Sequence, residues 1–337
     1  MKIPVKTGSG EYIIHFERGA LGKIGEIFDL DRKVLIVTDS GVPCIYSQKI
    51  YSSCKQGYIF TIEQGEKSKN LDNFKTLLEY MVKNNFTRTD CVVAVGGGVV
   101  GDLSGFVASA YMRGVDFYNV PTTVLSQVDS SIGGKTAVDF MGYKNIVGSF
   151  YQPKAVLIDP DTLSTLPKRQ INNGLSEALK SALIGDAYLF DIFENEDIMS
   201  NIDIIIQRSI DVKKRVVQED EKESGLRKTL NFGHTIAHAI ESTNNLEKYY
   251  HGECVAIGMV PMCSDNVRER LLKVLKKLDL PTEANYSPYK LIEACKHDKK
   301  MSGEFITAVY VNEIGTACLK KMDFHEFEMI VKKVFEK

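Results

Sequence analysis

The sequence predicts an α/β N-terminal domain built on a doubly wound, mostly parallel sheet, followed by a mostly α-helical C-terminal domain. Short apolar, β-branched runs alternate with helical stretches in the first half, and a glycine triplet follows one of them. Helical periodicity dominates after Leu166 and Pro167. Because 337 residues exceed what one hydrophobic core usually covers, we expect two domains, residues 1–168 and 169–337.

Five apolar runs, each bounded by turn residues, predict strands that are covered on both faces, as in a parallel sheet. The runs are residues 34–38, 58–62, 91–95, 117–120 and 155–158. Between the second and third runs, residues 70–84 place their apolar side chains on one side of a helix. This βαβ pattern predicts a Rossmann-like sheet.

The second half of the chain contains longer periodic segments that predict helices. They cover residues 170–184, 203–217, 234–242, a stretch from 253 onward and 324–335, with two possible strands at 305–311 and 316–319. No low-complexity linker separates the halves, so we expect a ligand cleft between closely packed domains.

Composition excludes several classes of protein. A net charge of −2 gives no reason to expect nucleic acid or an anionic membrane as a partner. No apolar run approaches the roughly 20 residues that span a bilayer, and no signal-peptide core follows the N-terminus. The seven cysteines are dispersed, without a C-x-x-C pair, which is typical of free thiols in a reducing cytoplasm.

The glycine triplet Gly96, Gly97 and Gly98 comes directly after an apolar strand. Glycines here allow backbone N–H groups to approach a phosphate closely, and Asp102 is predicted to begin the helix that follows. The arrangement favours a pyrophosphate cradle over the alternative of a simple tight turn. Its spacing differs from the G-x-G-x-x-G dinucleotide fingerprint.

The most polar stretch of the chain runs from residue 121 to 136 and ends in Gly-Gly-Lys-Thr. It is not a P-loop, because Asp129 stands where that motif requires glycine. We expect Arg113, Lys135 and Lys144 to surround one acid and hold a small, multiply anionic substrate. The alternative is an ordinary solvated loop.

Histidines cluster in the span from His234 to His251, which contains three of the six in the chain. His234 and His238 are four residues apart and share a helix face, so spacing alone makes them the first choice for a zinc pair. Which two of the three histidines bind a metal stays open at this point. Glu177 is the natural carboxylate partner for them.

Two further spacings accompany this cluster. Glu177 and Lys180 are three residues apart on a predicted helix, and a surface ion pair is the competing interpretation. Arg227 and Asn231 are four residues apart with His234 three residues further, which predicts that all three line one side of a helix.

These ordered motifs resemble the 3-dehydroquinate synthases of the sugar-phosphate cyclase group, over about residues 34–315. The resemblance rests on the segments 96–102, 113–114, 121–123, 127–136, 144–145, 225–227, 231–238 and 251–253 and on Glu177 with Lys180. It implies metal ligation by Glu177, His234 and His251, which leaves His238 for proton transfer.

The resemblance also implies roles for individual residues. The implied catalytic residues are Lys135, Lys180, Glu223 and His238. The implied substrate contacts are Arg113, Asp129, Lys135, Asn145, Lys180, Lys213, Arg227, Asn231, His251 and Lys299, where Lys300 is the alternative to Lys299. The implied NAD contacts are Asp39, Glu66, Lys69, Gly97, Gly98, Val99, Asp102, Thr122, Thr123, Lys144, Thr162 and Thr165.

The implied activity is conversion of 3-deoxy-D-arabino-heptulosonate 7-phosphate to 3-dehydroquinate and phosphate, in a cytoplasmic homodimer. NAD and a divalent metal, Zn²⁺ or Co²⁺, are the implied cofactors, and a sugar-phosphate acid is the implied partner. Two departures from the family pattern stand out. About one short helix is missing after Met259, and the turn 141–145 differs slightly from the usual one.

Three alternatives compete with this interpretation. A metal-dependent polyol or alcohol dehydrogenase shares the glycine loop but would release NADH, and Glu177 and Arg227 count against it. Another cyclase could act on a different sugar phosphate, although Arg113, Asn145 and Arg227 favour a substrate with a carboxylate. A non-enzymatic NAD- or metal-binding regulator would be expected to have lost part of this polar set.

Overall fold

The computed structural model describes residues 1–243, 248–284, 288–296, 301–302 and 305–335. The chain divides into two compact units, Met1–Pro167 (unit 1) and Lys168–Lys337 (unit 2). No helix in the described ranges is both long and apolar enough to cross a membrane.

Unit 1 contains a seven-stranded sheet with the strand order β1-β2-β9-β6-β5-β3-β4. Its first two strands pair antiparallel and all the others pair parallel, which confirms the predicted doubly wound sheet. The strands are β1 (Lys2–Thr7), β2 (Gly10–Phe16), β3 (Lys33–Asp39), β4 (Gln56–Ile62), β5 (Cys91–Gly96), β6 (Asp116–Pro121) and β9 (Ala155–Ile158). A separate antiparallel hairpin consists of β7 (Lys135–Phe140) and β8 (Tyr143–Phe150).

Two apolar clusters form the core of unit 1, because side chains of β3 and β5 alternate between the two faces of the sheet. Val34, Ile36, Val93 and Val95 belong to one cluster, and Leu35, Val37, Val92 and Ala94 belong to the other. The helices of this unit are α1 (Ile24–Ile27), α2 (Cys44–Ser52), α3 (Leu71–Lys83) and α4 (Gly98–Ala110). Helix α3 begins at the predicted position because the Asn70 side chain accepts a hydrogen bond from the Asn73 N–H.

The sheet reverses its winding between β3 and β5. Strand β4 lies on one side of β3, whereas β5, the next strand along the chain, lies on the other side. In open α/β sheets, ligands bind where the carboxyl ends of strands meet at such a switch point. Asp39 ends β3 and Gly96 ends β5, so both residues lie at this position.

Helix α4 begins at Gly98 rather than at the predicted Asp102. Only one residue, Gly97, therefore separates strand β5 from helix α4, and the longer glycine loop that the sequence predicts is absent between them. The glycines themselves occupy the first helical turn, because intrinsic helix propensity is only a weak preference that tertiary packing overrides.

Unit 2 is mostly helical, as predicted, and includes a three-stranded antiparallel sheet. Its helices are α5 (Lys168–Gly185), α6 (Ala187–Asn195), α7 (Ile202–Glu219), α8 (His234–Thr243), α9 (His251–Met259), α10 (Asp265–Lys277), α11 (Pro288–Lys296) and α12 (Phe324–Phe335). Its strands are β10 (Met301–Ser302), β11 (Phe305–Glu313) and β12 (Thr316–Asp323). Helix α5 is the central helix, with every residue from Asn173 to Ile184 buried.

Helix α9 packs against both α8 and α5, and glycines make each approach possible. A Cβ atom on Gly258 would lie 2.0 Å from the Gly233 carbonyl oxygen, and one on Gly252 would lie 1.9 Å from that of Asn173. Neither position therefore tolerates a side chain without movement of the backbone.

The segment after Met259 is a short turn that leads into α10. Ser264 N–H donates to the Val311 carbonyl at 3.0 Å, which joins the turn to β11. The Arg268 guanidinium donates to the carbonyls of Val260 at 2.8 Å and Cys263 at 2.7 Å. These bonds satisfy the backbone of the segment that the sequence indicates to be shortened.

Candidate active site

Glu177 and Lys180 lie on α5, and each is only 1% exposed, so the surface ion-pair interpretation is wrong. The Lys180 ammonium contacts Glu177 Oε2. The other carboxylate oxygen, Oε1, lies 3.4 Å from His251 Nε2 and 3.7 Å from His234 Nε2. The two oxygens of one carboxylate therefore face different partners, a lysine on one side and two imidazoles on the other.

Glu177, His234 and His251 are the three side chains whose ligand atoms lie within 4.8 Å of one another. His238, the first choice from spacing, does not belong to this set among the described residues, although its ring centroid is 5.7 Å from that of His234. The geometry thus groups the residues as the resemblance implies. The i, i+4 pair shares a helix face but does not aim both rings at one point.

Both imidazoles present Nε2 to Glu177 because their Nδ1 atoms have other partners. His234 Nδ1 lies 3.0 Å from the Phe232 carbonyl oxygen, and His251 Nδ1 lies 3.0 Å from Glu241 Oε1. Since both partners are acceptors, each Nδ1 carries a proton, and Nε2 is the ring atom that can bind a metal. Burial alone would lower the pKa of His251, but Glu177 and Glu241 outweigh it and raise that pKa to about 10. An Nδ1–H that donates to an oxygen acceptor is the arrangement that metal-binding histidines use.

The charges in this cluster suit a divalent cation. Burial alone would raise the pKa of Glu177, but Lys180 and the two histidines outweigh it and hold that pKa well below its usual range. Burial and the nearby Lys180 lower the pKa of His234, so this ring is neutral. Both Glu177 oxygens are buried without a hydrogen bond of regular geometry in the described part of the chain. A Zn²⁺-type ion bound by two imidazoles and one carboxylate fits these donors and keeps a coordination position open.

The His-Gly-Glu sequence at the start of α9 has a structural explanation for each residue. Gly252 N–H donates to Asn173 Oδ1 at 2.7 Å, which attaches the helix start to α5. Glu253 accepts from the Tyr250 N–H at 2.9 Å in a capping box, and Arg169 binds the same carboxylate at 2.7 and 2.9 Å. These contacts fix the backbone from which His251 projects.

Two more cationic side chains are buried in unit 2, Lys213 on α7 and Arg227 in the 3₁₀ segment Leu226–Asn231. That segment packs on both α5 and α7. It ends before α8, with Phe232 and Gly233 between them, so the predicted alignment of Arg227 and His234 along one helix is wrong. Gly233 adopts φ +77°, which a continuous helix cannot contain.

The loop before the 3₁₀ segment positions Glu223. The Asn231 amide donates to Glu223 Oε1, and the Arg227 guanidinium donates to the Glu221 carbonyl. Glu223 has φ 62°, in the left-handed region that non-glycine residues avoid. The carboxylate of Asp220 holds the turn by accepting from the N–H groups of the residues Ser224, Gly225 and Arg227.

In unit 1, the N-terminus of α4 forms the glycine cradle. A Cβ atom on Gly97 would lie 3.3 Å from the Thr123 side chain, and one on Gly98 would lie 3.2 Å from Ser130 Oγ. Val99 is in the first turn of the same helix, and Thr122 follows the end of β6. The N–H groups of a helix's first turn have no partner within the helix, and glycines there let a pyrophosphate approach them.

Lys69 is buried beside this cradle among several acids. Its ammonium lies 2.8 Å from Glu66, 3.3 Å from Asp102 and 4.0 Å from Asp139, and Lys144 lies 3.6 Å from Glu66. Burial alone would lower the pKa of Lys69, but Asp102, Glu66 and Asp139 outweigh it and raise that pKa, so Lys69 is a permanent cation. Four of these five charged residues, all except Asp139, are ones that the resemblance assigns to NAD.

The remaining implied NAD contacts line the same edge of the sheet. Asp39 at the end of β3 has a carboxyl pKa that burial raises, and its oxygen accepts from the Gly41 N–H at 2.8 Å. After β9, the Thr162 hydroxyl accepts from Gln127 Nε2 at 3.1 Å, and the Thr165 hydroxyl lies 3.1 Å from that of Tyr46.

The implied substrate residues of unit 1 lie on irregular backbone. Arg113 and Asn145 have φ values of 68° and 53°, a strain that is typical of functional sites. Asp129 lies in the π-helical turn Ser126–Ser130. Lys135 begins β7, whereas Lys144 lies at the turn end of the hairpin, so the two lysines are at opposite ends of it. The structure does not bring them together as the sequence predicts.

Two residues next to these sites are not predicted from the sequence, Glu241 and Asp139. Glu241 comes seven residues after His234 and three after His238, so helical spacing already placed it on their face. Asp139 accepts from the Asn145 N–H at 2.8 Å, a contact that no local pattern signals. His15 lies in β2, and His325 is exposed. Lys299 and Lys300, one of which is an implied substrate contact, lie outside the described residues, as does His297.

The comparison with known proteins gives a separate family match for each of the two parts of the chain. A family profile described as 3-dehydroquinate synthase N-terminal matches residues 59–173, and one described as 3-dehydroquinate synthase C-terminal matches residues 174–301. A 3-dehydroquinate synthase from Streptococcus mutans serotype c is 41% identical over 357 residues, covering 99% of this chain and 100% of the relative.

Several solved structures share the fold, among them two synthases. A 2-deoxy-scyllo-inosose synthase, complexed with carbaglucose-6-phosphate, NAD⁺ and Co²⁺, has a TM-score of 0.89 at 23% identity and covers 99% of this chain and 100% of its own. ValA, a 2-epi-5-epi-valiolone synthase from Streptomyces hygroscopicus subsp. jinggangensis 5008 with NAD⁺ and Zn²⁺ bound, has a TM-score of 0.86 at 26% identity, covering 96% of each chain.

A doubly wound sheet with a glycine cradle, followed by a helical unit, is the fold that this chain shares with these two synthases. The sequence relatives resolve the class further. The chain belongs to the 3-dehydroquinate synthase family.

Proposed function

We propose that this protein is a carbon–oxygen lyase that converts 3-deoxy-D-arabino-heptulosonate 7-phosphate to 3-dehydroquinate and phosphate. The observation that carries the proposal is the cluster of the buried Glu177 with the partly exposed His234 and His251, with Lys180 against the carboxylate oxygen that faces away from the histidines. Family membership supplies the substrate, and the cluster supplies a place for its reacting oxygen.

We propose NAD and a divalent metal, Zn²⁺ or Co²⁺, as cofactors, which agrees with the ions and nucleotide in the two neighbouring structures. Glu177, His234 and His251 would hold the metal, and the cradle at Gly97 and Gly98 would hold the pyrophosphate. When bound, the nucleotide would take a hydride from a substrate alcohol and return it, while the metal polarised that oxygen.

The residues of the chain itself would bind and orient the anionic substrate. Lys180, Lys213 and Arg227 are buried cations on elements of unit 2 that pack together, and cations in such surroundings bind phosphate and carboxylate strongly. We propose that Arg113, Asp129, Lys135, Asn145 and Lys299 complete the substrate contacts. Contacts to both ends of the substrate would lower the entropy cost of ring closure.

A smaller set of side chains would carry out proton transfer. We propose that Glu223 and His238, with Lys135 and Lys180, hold or move protons at the reacting oxygens. The Asn231 amide orients the Glu223 carboxylate, and the His238 ring lies beside His234 at 5.7 Å between centroids. A positioned general acid or base contributes about 10²–10⁴-fold to a rate.

We propose that the enzyme is a cytoplasmic homodimer. The seven free cysteines support a reducing compartment. Hairpin β7–β8 carries exposed apolar side chains at Phe140, Met141, Tyr143, Ile146 and Phe150, which supports contact with a second copy of the chain.

The test is phosphate release from the heptulosonate phosphate by metal-loaded enzyme with NAD⁺ far below the substrate concentration. We expect many phosphates released per NAD⁺, no net NADH, and loss of activity with a chelator that added Zn²⁺ or Co²⁺ restores. Stoichiometric accumulation of NADH with a simple polyol would instead identify a dehydrogenase, and turnover only with a sugar phosphate lacking a carboxylate would identify a different cyclase.

A further inference from the structure

Glu241 is a buried acid that the proposed reaction does not use. It lies on α8, is 5% exposed, and its Oε1 is 3.0 Å from Nδ1 of His251. It is not part of the set of ligand atoms that lie within 4.8 Å of one another, so it faces the histidine rather than the ion position. A carboxylate buried at this location costs free energy unless its hydrogen bonds compensate for it.

The two histidines of the cluster have unlike partners at Nδ1. His234 has a backbone carbonyl, that of Phe232, two residues earlier in its own chain segment. His251 has the carboxylate of Glu241, ten residues away and on a different helix. His234 thus needs no other side chain to hold its ring, whereas His251, at the first residue of α9, depends on one.

We propose that Glu241 is a positioning residue that holds His251 as a metal ligand and ties α9 to α8. The Glu241 carboxylate accepts a hydrogen bond from Nδ1–H, which leaves Nε2 as the ring nitrogen that faces Glu177 Oε1, 3.4 Å away. Since His234 and Glu241 both belong to α8, one helix then supplies one ligand directly and orients the other. The inference rests on the metal site of the proposed function, but not on its substrate.

The physical reason is both geometric and electronic. Without a partner at Nδ1, an imidazole can rotate or take the other tautomer, and either change removes Nε2 from the ion position. A negative acceptor also increases the electron density on the ring and strengthens the bond to the metal. Loss of such a partner typically weakens metal affinity about 10–100-fold.

The experiment measures the Zn²⁺ dissociation constant of dialysed full-length protein by competition with a chromophoric chelator. We compare wild type with Glu241→Ala, which removes the acceptor, and Glu241→Gln, which keeps an acceptor oxygen without the charge. We expect affinity to fall about 10–100-fold in the alanine variant and by less in the glutamine variant. The visible absorption bands of the Co²⁺-loaded protein should shift in the alanine variant, because the imidazole geometry changes.

Glu194→Gln is the matched control. Glu194 lies on α6 of the same unit, its carboxylate accepts from Arg270 at 2.6 Å, and among the described residues it shares no partner with the cluster, so the Zn²⁺ affinity of this variant should stay at the wild-type value. Circular dichroism of the metal-free proteins establishes whether each variant is folded. If the alanine variant does not fold, the Zn²⁺ affinity of the glutamine variant provides the test. Unchanged Zn²⁺ affinity and Co²⁺ spectrum in a folded Glu241 variant, or no Zn²⁺ binding by wild type, would overturn the inference. Failure of phosphate release alone would overturn only the proposed function.

Discussion

Glu177 shows how one residue can serve two purposes. Lys180 contacts one of its oxygens and both histidines face the other, so the buried lysine neutralises the carboxylate and also fixes its rotation. Burial of such a pair is costly when one partner is lost, because the remaining charge has no compensation.

Glu177→Gln is expected to abolish Zn²⁺ binding and turnover, because an amide is a poor ligand and leaves the buried Lys180 uncompensated. His251→Ala is expected to do the same by removing a ligand. Metal content after dialysis and phosphate release are the measurements. His325→Ala, at an exposed histidine of α12, should change neither. Full activity in either site variant would contradict the ligand assignment.

Asp220 gives a prediction with a defined pH range. Its partial burial alone would raise the carboxyl pKa, but the N–H groups of Gly225, Ser224 and Arg227 outweigh it and lower the pKa from 3.8 to about 2. A depressed pKa in the folded state means that the carboxylate stabilises the fold above about pH 4, and that this contribution disappears as pH falls to about 2.

We therefore expect Asp220→Asn to reduce the free energy of unfolding by about 1 kcal/mol at pH 7, a typical value for a lost capping carboxylate on a mostly exposed loop. The difference from wild type should shrink between pH 4 and pH 2 in urea titrations. Asp211→Asn, an exposed position on α7, should show no comparable trend. A difference that stays constant down to pH 2 would show that the carboxylate charge is not responsible.

At the scale of elements, the crossing of α8 and α9 decides which histidines meet. The missing side chains of Gly233 and Gly258 let these helices approach closely enough for His234 and His251 to lie 5.3 Å apart between ring centroids. In the same unit, the 3₁₀ segment Leu226–Asn231 ends before α8, and Gly233, with φ +77°, separates the two, so Arg227 and His234 do not share one helix.

Gly258→Ala should separate α8 from α9, since its Cβ would lie 2.0 Å from the Gly233 carbonyl oxygen. We expect a loss of about 1–3 kcal/mol in the free energy of unfolding, together with weaker Zn²⁺ binding. Urea unfolding and chelator competition measure the two effects. At Gly22 a Cβ atom would meet nothing within 4 Å, so Gly22→Ala should leave both quantities near wild type. Wild-type Zn²⁺ affinity in Gly258→Ala would contradict the link between helix spacing and ligand geometry.

At the scale of the whole molecule, the exposed apolar hairpin β7–β8 predicts self-association. Light scattering during size-exclusion chromatography should give a mass of twice the 37.7 kDa of one chain. The double variant Ile146→Lys with Phe150→Lys places two charges on one face of β8 and should yield monomers at micromolar concentration. Val82→Lys, at another exposed apolar position on α3, should remain dimeric. A monomeric wild type, or a dimeric hairpin variant, would contradict the proposed dimer.

Much of the architecture follows from local patterns in the chain. Continuous apolar runs predict β3, β4, β5, β6 and β9, and the 3.6-residue period predicts α3 and the long helices of unit 2, because each pattern needs only near neighbours along the sequence. The start of α4 at Gly98 is not predictable in this way, because packing places glycines in a helix that their propensity opposes.

In the candidate site, too, some features follow from local sequence patterns and others only from packing. Residue types and motifs, and the family that they resemble, are enough to identify Glu177, the histidines and the glycine cradle. Only the tertiary structure decides that His234 points to the same oxygen as His251, that Lys180 is buried against Glu177, and that Glu241 holds the second ring. Those contacts join α5, α8 and α9, and the distance between helices depends on glycines and side chains far apart in the chain, which spacing along one helix cannot report.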